Sequence, residues 1–104
     1  MKGIAFPVYV LSKDDGRVIA FQRFTEMQGY LESIDVENHE YEAWDANGRC
    51  IEFATKDSKR DWLEIIPTGR SADERDFAAT RGRAEACPKW APLSSRFLRW
   101  LGRS

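Results

Sequence analysis

The first part of the chain alternates between short apolar runs and polar turns. Residues 6–12 are rich in β-branched and aromatic side chains, and residues 17–24 form a second run of the same kind. Residues 13–16 (KDDG) separate the two runs, and an Asp-Gly pair in this setting predicts a β-hairpin because glycine accepts a positive φ. Both runs carry apolar residues on both faces, so we expect this hairpin to lie inside a sheet.

A helical pattern follows the hairpin. Apolar side chains recur at the spacing of one helix face at Met27, Tyr30, Leu31 and Ile34. Thr25 and Gln28 have the spacing of a capping box, in which each side chain satisfies a free backbone N–H of the other. The pattern therefore predicts one short amphipathic helix over residues 25–33, lying on a face of the sheet. The polar residues 35–40 predict an irregular connection.

A second hairpin is predicted further along the chain. Residues 40–45 alternate, residues 45–48 (DANG) have turn chemistry, and residues 49–55 return. Charged residues occupy one face of these strands, so we expect this hairpin to be half exposed. Residues 62–67 predict a fifth strand that ends at Pro67, since proline cannot donate a ladder hydrogen bond. The order of elements is ββαβββ.

The composition changes after residue 67. Ser71 and Glu74 have capping-box spacing, and the alanine-rich run after them predicts a helix that ends near Gly82. Residues 93–101 predict a last helix with aromatic residues and leucines on one side and arginines on the other. We therefore expect an α+β fold with a largely antiparallel sheet, a ββαβββ core in residues 1–67 and a basic helical extension in residues 68–104. A core of this size is marginal alone, so we expect the extension to pack on it and complete a single domain.

Charge is divided unevenly along the chain. Residues 1–69 hold 8 Lys/Arg and 13 Asp/Glu, whereas residues 70–104 hold 8 Lys/Arg and 4 Asp/Glu. No Lys or Arg lies between Arg23 and Arg49, a stretch that carries seven carboxylates. Such a stretch creates a negative potential that steers basic partners, unless it is a solvated face or one neutralised by the basic extension.

Several kinds of chemistry are poorly represented. No apolar run has the length that a membrane span needs, and the N-terminus does not have the pattern of a signal peptide, so we expect a cytoplasmic protein without a transmembrane segment. A Cys–His pair of nucleophile and base can come only from the two thiols, Cys50 and Cys87, and the single histidine, His39. Residues 45–48 lack the remaining ligands of a calcium loop. We expect no cofactor, no metal and no nucleic acid, and we assign no catalytic residue.

Three functional hypotheses remain. The first is a protein-binding module of a basic partner, with candidate contacts at Asp35, Glu37, Glu40, Glu42, Trp44 and Asp45. The second is a homodimer or other homo-oligomer, or a membrane-surface protein, in which the basic C-terminal helix docks through Arg96, Phe97, Arg99 and Trp100. The third is an enzyme of unknown class. Trp44 and Trp62 are anchor residues of an interface if they are exposed, and core residues if the extension covers them.

One run supports the first hypothesis by resemblance. Residues 34–38 (IDVEN) followed by residues 40–48 (EYEAWDANG), after a hairpin and a short helix, resemble small uncharacterised bacterial proteins. Some of these resemble immunity proteins that neutralise polymorphic toxins. The resemblance covers about two-thirds of the chain and implies protein–protein binding, but it transfers no functional residue to this sequence.

Overall fold

The fold is built on one six-stranded sheet, which the computed structural model describes over residues 3–57 and 61–87. In chain order the elements are β1 (Val8–Ser12), β2 (Val18–Phe21), α1 (Phe24–Tyr30), α2 (Ser33–Glu37), β3 (Tyr41–Trp44), β4 (Arg49–Thr55), β5 (Leu63–Ser71), α3 (Glu74–Gly82) and β6 (Glu85–Ala86). The strand order across the sheet is β5-β4-β3-β1-β2-β6, and all pairs are antiparallel except β2–β6. The predicted α+β class with a mostly antiparallel sheet is confirmed.

Both predicted hairpins are present because their turns are specified locally. Gly16 has φ 73° and its N–H donates to the Ser12 carbonyl at 2.8 Å, while Gly48 has φ 80° and donates to the Asp45 carbonyl at 3.0 Å. These positive φ values are what glycine tolerates best. The first hairpin lies in the interior of the sheet, as its apolar faces predict, with β3 on one side and β6 on the other.

The main core lies on one face of the sheet, beneath α1 and α2. Alternate strand residues point to this face and pack against Met27, Leu31 and Val36 of the helical segment. The strand residues of this core are Val8, Val10, Ile19, Phe21, Ala43, Ile51, Leu63 and Ile65. Burial of these apolar side chains is the main stabilising contribution to the fold.

The predicted helix over residues 25–33 is corrected to two shorter helices. α1 begins one residue earlier than Thr25, and the Glu26 carboxylate accepts hydrogen bonds from the Gln22 and Arg23 backbone N–H groups at 2.8 and 3.3 Å. The side chain that caps the helix start is therefore Glu26, and the predicted capping box of Thr25 and Gln28 is corrected. Leu31 has an extended backbone, ψ 151°, which ends α1, and α2 then continues from the predicted helix to Glu37, into residues predicted to be irregular.

The fifth strand is longer than predicted and continues past Pro67 to Ser71. β5 is an edge strand, and the Lys56 N–H to Trp62 carbonyl bond of 2.6 Å shows that Trp62 faces β4. Alternation along the strand then turns the backbone of Leu63, Ile65 and Pro67 toward the open edge, where a missing N–H costs no ladder bond. The first four residues of the predicted extension thus belong to the sheet.

The second face of the sheet is partly covered by α3. Phe77 of this helix stands edge-on to Tyr9, with ring centroids 5.6 Å apart. α3 is capped by Asp73, whose carboxylate accepts from the Arg75 and Asp76 N–H groups, so the predicted cap at Ser71 is corrected. The helix ends at Gly82 as predicted. The predicted helix over residues 93–101 lies outside the described residues.

Candidate functional site

A groove opens between β3 and β4 because the ladder that joins them is short. The two strands pair only at Ala43–Ile51 and Trp44–Cys50, whereas β4 remains paired with β5 as far as Thr55. Beyond Ala43 the strands diverge around a cavity of about 580 Å³, which we call the β3–β4 groove. Its volume lies in the range of ligand and peptide sites. The groove is lined by residues of α2, β3, β4 and β5, and by Lys13 and His39.

Aromatic side chains line the groove on both sides. The Tyr41 ring on β3 stands edge-on to Phe53 on β4, with centroids 6.2 Å apart and an interplanar angle of 88°. The Tyr41 hydroxyl donates to the Asp35 carboxylate at 3.2 Å and fixes α2 to the groove. Burial raises the pKa of the Tyr41 phenol far above its usual range, and the nearby charges of Asp35 and Glu32 add to the shift. Tyr41 is therefore a neutral hydrogen-bond donor at physiological pH.

The groove is lined by the residue types that the enzyme hypothesis needs, but the structure does not join them. His39 and Cys50 both line it, together with Glu42 and Glu52. Cys50 lies opposite Trp44, at the turn end of the ladder. His39 lies beyond Tyr41, and the three strand steps from Tyr41 to Trp44 alone span about 10 Å. No hydrogen bond links the two side chains, so the arrangement provides no nucleophile–base contact.

Candidate metal ligands are not grouped together in the part of the chain that the structure describes. Within residues 3–57 and 61–87, no group of three or more His, Cys, Asp or Glu side chains is placed to hold a metal ion. The basic groups at the groove are Lys13 and Arg70, and the Arg70 guanidinium forms an exposed ion pair with Glu52 at 3.4 Å. Exposed pairs of this kind contribute little to stability.

The predicted partner-binding residues are divided between β3 and the α2 segment, with one exception. Glu42 and Trp44 share a face of β3 and line the groove, with Glu42 exposed and Trp44 half-buried. Glu37 is exposed at the end of α2, and Glu40 is half-buried where its carbonyl accepts from the Lys13 N–H at 2.8 Å. Asp35 is half-buried beneath Tyr41. These five residues of the predicted set remain candidates for contact with a partner.

Asp45 is the exception, because it is a buried turn residue. Its side chain is 1% exposed and accepts backbone N–H groups from Asn47 at 2.9 Å, Arg49 at 3.0 Å and Ala5 at 3.3 Å. A carboxylate satisfied in this way has a structural role and offers no surface to a partner. We therefore correct its assignment, and the acidic surface below does not include it.

A second feature, which the sequence did not indicate, lies at the start of α2. Ile34, which the pattern assigned to the buried stripe of a helix, is 60% exposed. It lies beside Trp62 in a shallow depression of about 290 Å³, the Ile34–Trp62 notch, whose other walls are Leu31, Glu32 and Ser33. Trp62 is half-buried, and its indole N–H donates to the Gln28 carbonyl at 3.3 Å. The break between α1 and α2 turns Ile34 outward, and no sequence period signals that break.

The remaining predicted contacts, Arg96, Phe97, Arg99 and Trp100, lie outside the described residues. Among the residues that are described, no helix combines the length and the apolar character needed to cross a membrane. Comparison with known proteins finds no matching family model, no matching curated protein and no matching solved structure.

Proposed function

We propose that the protein is a protein-binding module that uses an acidic surface to bind a basic partner. The carboxylates that we group as the acidic surface are Glu32, Asp35, Glu37 and Glu40, on and beside α2, and Glu42 of β3, which alternates with core-facing Ala43 and so points to the other face of the sheet. The observation that carries this proposal is the β3–β4 groove, because one side of it is formed by residues 36, 39 and 41–44, within the most acidic stretch of the chain. A concave site beside a set of carboxylates suits a cationic protein segment better than a neutral ligand.

The groove also offers an anchor for such a segment. Trp44 is half-buried, lies next to exposed Glu42 in the groove wall, and belongs to the residue type most enriched among energetically dominant interface contacts. Carboxylates at the rim accelerate association, and a desolvated aromatic ring slows dissociation. The two features together support a specific, salt-sensitive complex.

Residues 34–48 resemble small bacterial proteins, some of which resemble immunity proteins, and this resemblance narrows the class of partner that we propose. A cationic toxin, for example a nuclease whose nucleic-acid groove is positive, has the charge that the acidic surface complements. Binding of such a groove by carboxylates blocks the surface that phosphate groups need. The proposed role is therefore neutralisation by occlusion, which requires no catalytic group on this chain.

The test begins with affinity capture of the full-length protein together with the products of its native locus. The captured partner is then measured by stopped-flow or surface plasmon resonance against the triple variant Glu37→Lys, Glu40→Lys and Glu42→Lys. We expect the association rate at low salt to fall about 10- to 100-fold, with a flatter dependence on ionic strength.

A matched control distinguishes the effect of the acidic surface on the association rate from the effect of net charge alone. The variant Asp14→Lys, Asp57→Lys and Glu74→Lys changes net charge by the same amount at exposed sites outside the acidic surface. We expect it to reduce the association rate by less than about threefold. Equal rates for the two triple variants would contradict the proposal.

A further inference from the structure

The Ile34–Trp62 notch is an apolar contact site set among carboxylates. Ile34 is one of two large apolar side chains among the described residues that are strongly exposed; the other is Ile66, at 38%. Glu32 lines the notch, and Asp35 and Glu37 follow Ile34 on α2. A segment that fits here carries apolar side chains for the notch and Lys or Arg for the carboxylates around it.

The chain itself contains a segment with this chemistry. Residues 89–104 include four basic residues and no acidic residue. The same segment contains six large apolar side chains: Trp90, Leu93, Phe97, Leu98, Trp100 and Leu101. Its charge is opposite to that of residues 24–48, where seven carboxylates occur without a Lys or Arg. The two segments are therefore complementary in both charge and apolar content.

The described chain ends where this segment can reach the notch. The Cys87 N–H donates to the Ala20 carbonyl at 3.4 Å on the sheet edge beyond β2, and α1 begins three residues after β2 ends. The seven residues of α1 rise about 10 Å, and the notch follows directly after them. Trp62 directly precedes β5, which lies four strand spacings or about 19 Å from β2, and the ten residues from 88 to 97 cover this distance because they span about 33 Å when extended.

We propose that residues 89–104 bind the acidic surface of the same chain at the Ile34–Trp62 notch and compete there with the external partner. The intramolecular contact stands on the observations above, whereas the competition rests on the proposed function. An intramolecular ligand of this kind lowers the apparent affinity of weak basic competitors, because each must displace a tethered segment of high effective concentration. The surface is then selective for partners that bind both the notch and the groove.

Limited trypsin digestion of the full-length protein tests the contact directly. Cleavage after Arg96 and Arg99 is followed by mass spectrometry for the wild type, for Ile34→Ser and for the control Ile66→Ser, whose side chain is exposed on β5. We expect Ile34→Ser to accelerate these cleavages about fivefold or more, because proteolysis follows the population of the undocked segment. We expect Ile66→Ser to leave them unchanged, and added salt to accelerate them in the wild type.

A second variant keeps the test decisive if Ile34→Ser perturbs folding. Cleavage after Arg49, inside β4, reports global unfolding in the same digest. Glu32→Gln with Glu37→Gln leaves Ile34 in place and is expected to accelerate cleavage after Arg96 by removing two of the surrounding charges.

Two results would overturn the proposal. One is equal cleavage rates after Arg96 and Arg99 in the wild type and in both variants. The other is protection that increases with protein concentration over a roughly hundredfold range, which assigns the contact to a second copy of the chain. Neither result depends on the association rate measured with the Glu37, Glu40 and Glu42 variant, so the contact and the proposed function can fail separately.

Discussion

Replacing Asp45 tests the corrected role of this residue as the anchor of the second hairpin. Its buried carboxylate accepts three backbone N–H groups, from two residues of its own turn and from Ala5, forty residues away in sequence. Asp45→Ala removes all three acceptors at once. The turn then loses its internal bonds, and the segment before β1 loses its link to the hairpin.

The magnitude follows from the geometry of the bonds. Hydrogen bonds to a charged group contribute about 1.5–3 kcal/mol each, and the two bonds near 3.0 Å count more than the bond to Ala5 at 3.3 Å. Removal of the carboxylate also relieves its cost of burial, which reduces the net effect. We expect a loss of about 2–4 kcal/mol in the free energy of unfolding, a large part of the 5–15 kcal/mol typical of a domain.

Urea denaturation followed by tryptophan fluorescence measures this loss, with the m-value checked for two-state behaviour. Asp45→Asn keeps one oxygen for the Asn47 and Arg49 N–H groups, so we expect about half of the loss. Asp14→Ala, in the exposed turn of the first hairpin, serves as the matched control and should change stability by less than about 0.5 kcal/mol. A loss below about 1 kcal/mol for Asp45→Ala would refute the structural role and return Asp45 to the list of surface candidates.

Three further predictions concern the packing around the sheet. Gly48→Ala places a Cβ 3.1 Å from the Phe77 ring at φ 80°, and we expect it to lower the free energy of unfolding by about 1–2 kcal/mol in urea denaturation. In a double-mutant cycle, Phe77→Ala should recover only the steric part of this loss. Full additivity of the two changes would contradict the contact. Gln28→Ala removes the side-chain acceptor of the Leu63 N–H, which is held at 3.2 Å, and should cost about 1–2 kcal/mol in the same assay, whereas Gln22→Ala, an exposed control, should cost little. Because the pKa of Tyr41 is raised in the folded state, this tyrosine ionises first in the unfolded state, so the contribution of Tyr41 to stability is complete below pH 10 and is lost as the pH rises above that value. The stability of Tyr41→Phe should therefore decline less steeply between pH 10 and pH 11 than that of the wild type. Parallel declines would contradict the assignment.

Local chemistry explains which parts of the fold could be predicted from the sequence. The turns at residues 13–16 and 45–48 combine a carboxylate or amide with a glycine, and both hairpins form as predicted. The length of β5 could not be predicted, because the effect of Pro67 depends on whether its nitrogen faces β4 or the open edge. That orientation is set by the register with β4, a contact between strands that the sequence of one strand does not contain.

The candidate site was only partly predictable for a similar reason. The acidic stretch is visible as composition, and two residues of the predicted set, Glu42 and Trp44, line the β3–β4 groove. The burial of Asp45 was missed because a charged residue at a turn is normally exposed, and only the N–H of distant Ala5 completes its enclosure. The exposure of Ile34 was missed because the break at Leu31 changes which helix face carries each later residue.

The short β3–β4 ladder also divides the backbone pairing of the sheet into two units, β1–β2–β3 and β4–β5. β4 and β5 share six residue pairs, and β1 pairs with β2 and β3 through four pairs each, but only two pairs connect these groups across β3 and β4. Native-state hydrogen exchange should therefore show two sets of amides with different opening free energies, separated at this point. A ligand that fills the groove contacts both units, so its binding should slow exchange in both sets together. Occupation of the groove would then be detectable as slower amide exchange across the whole width of the sheet.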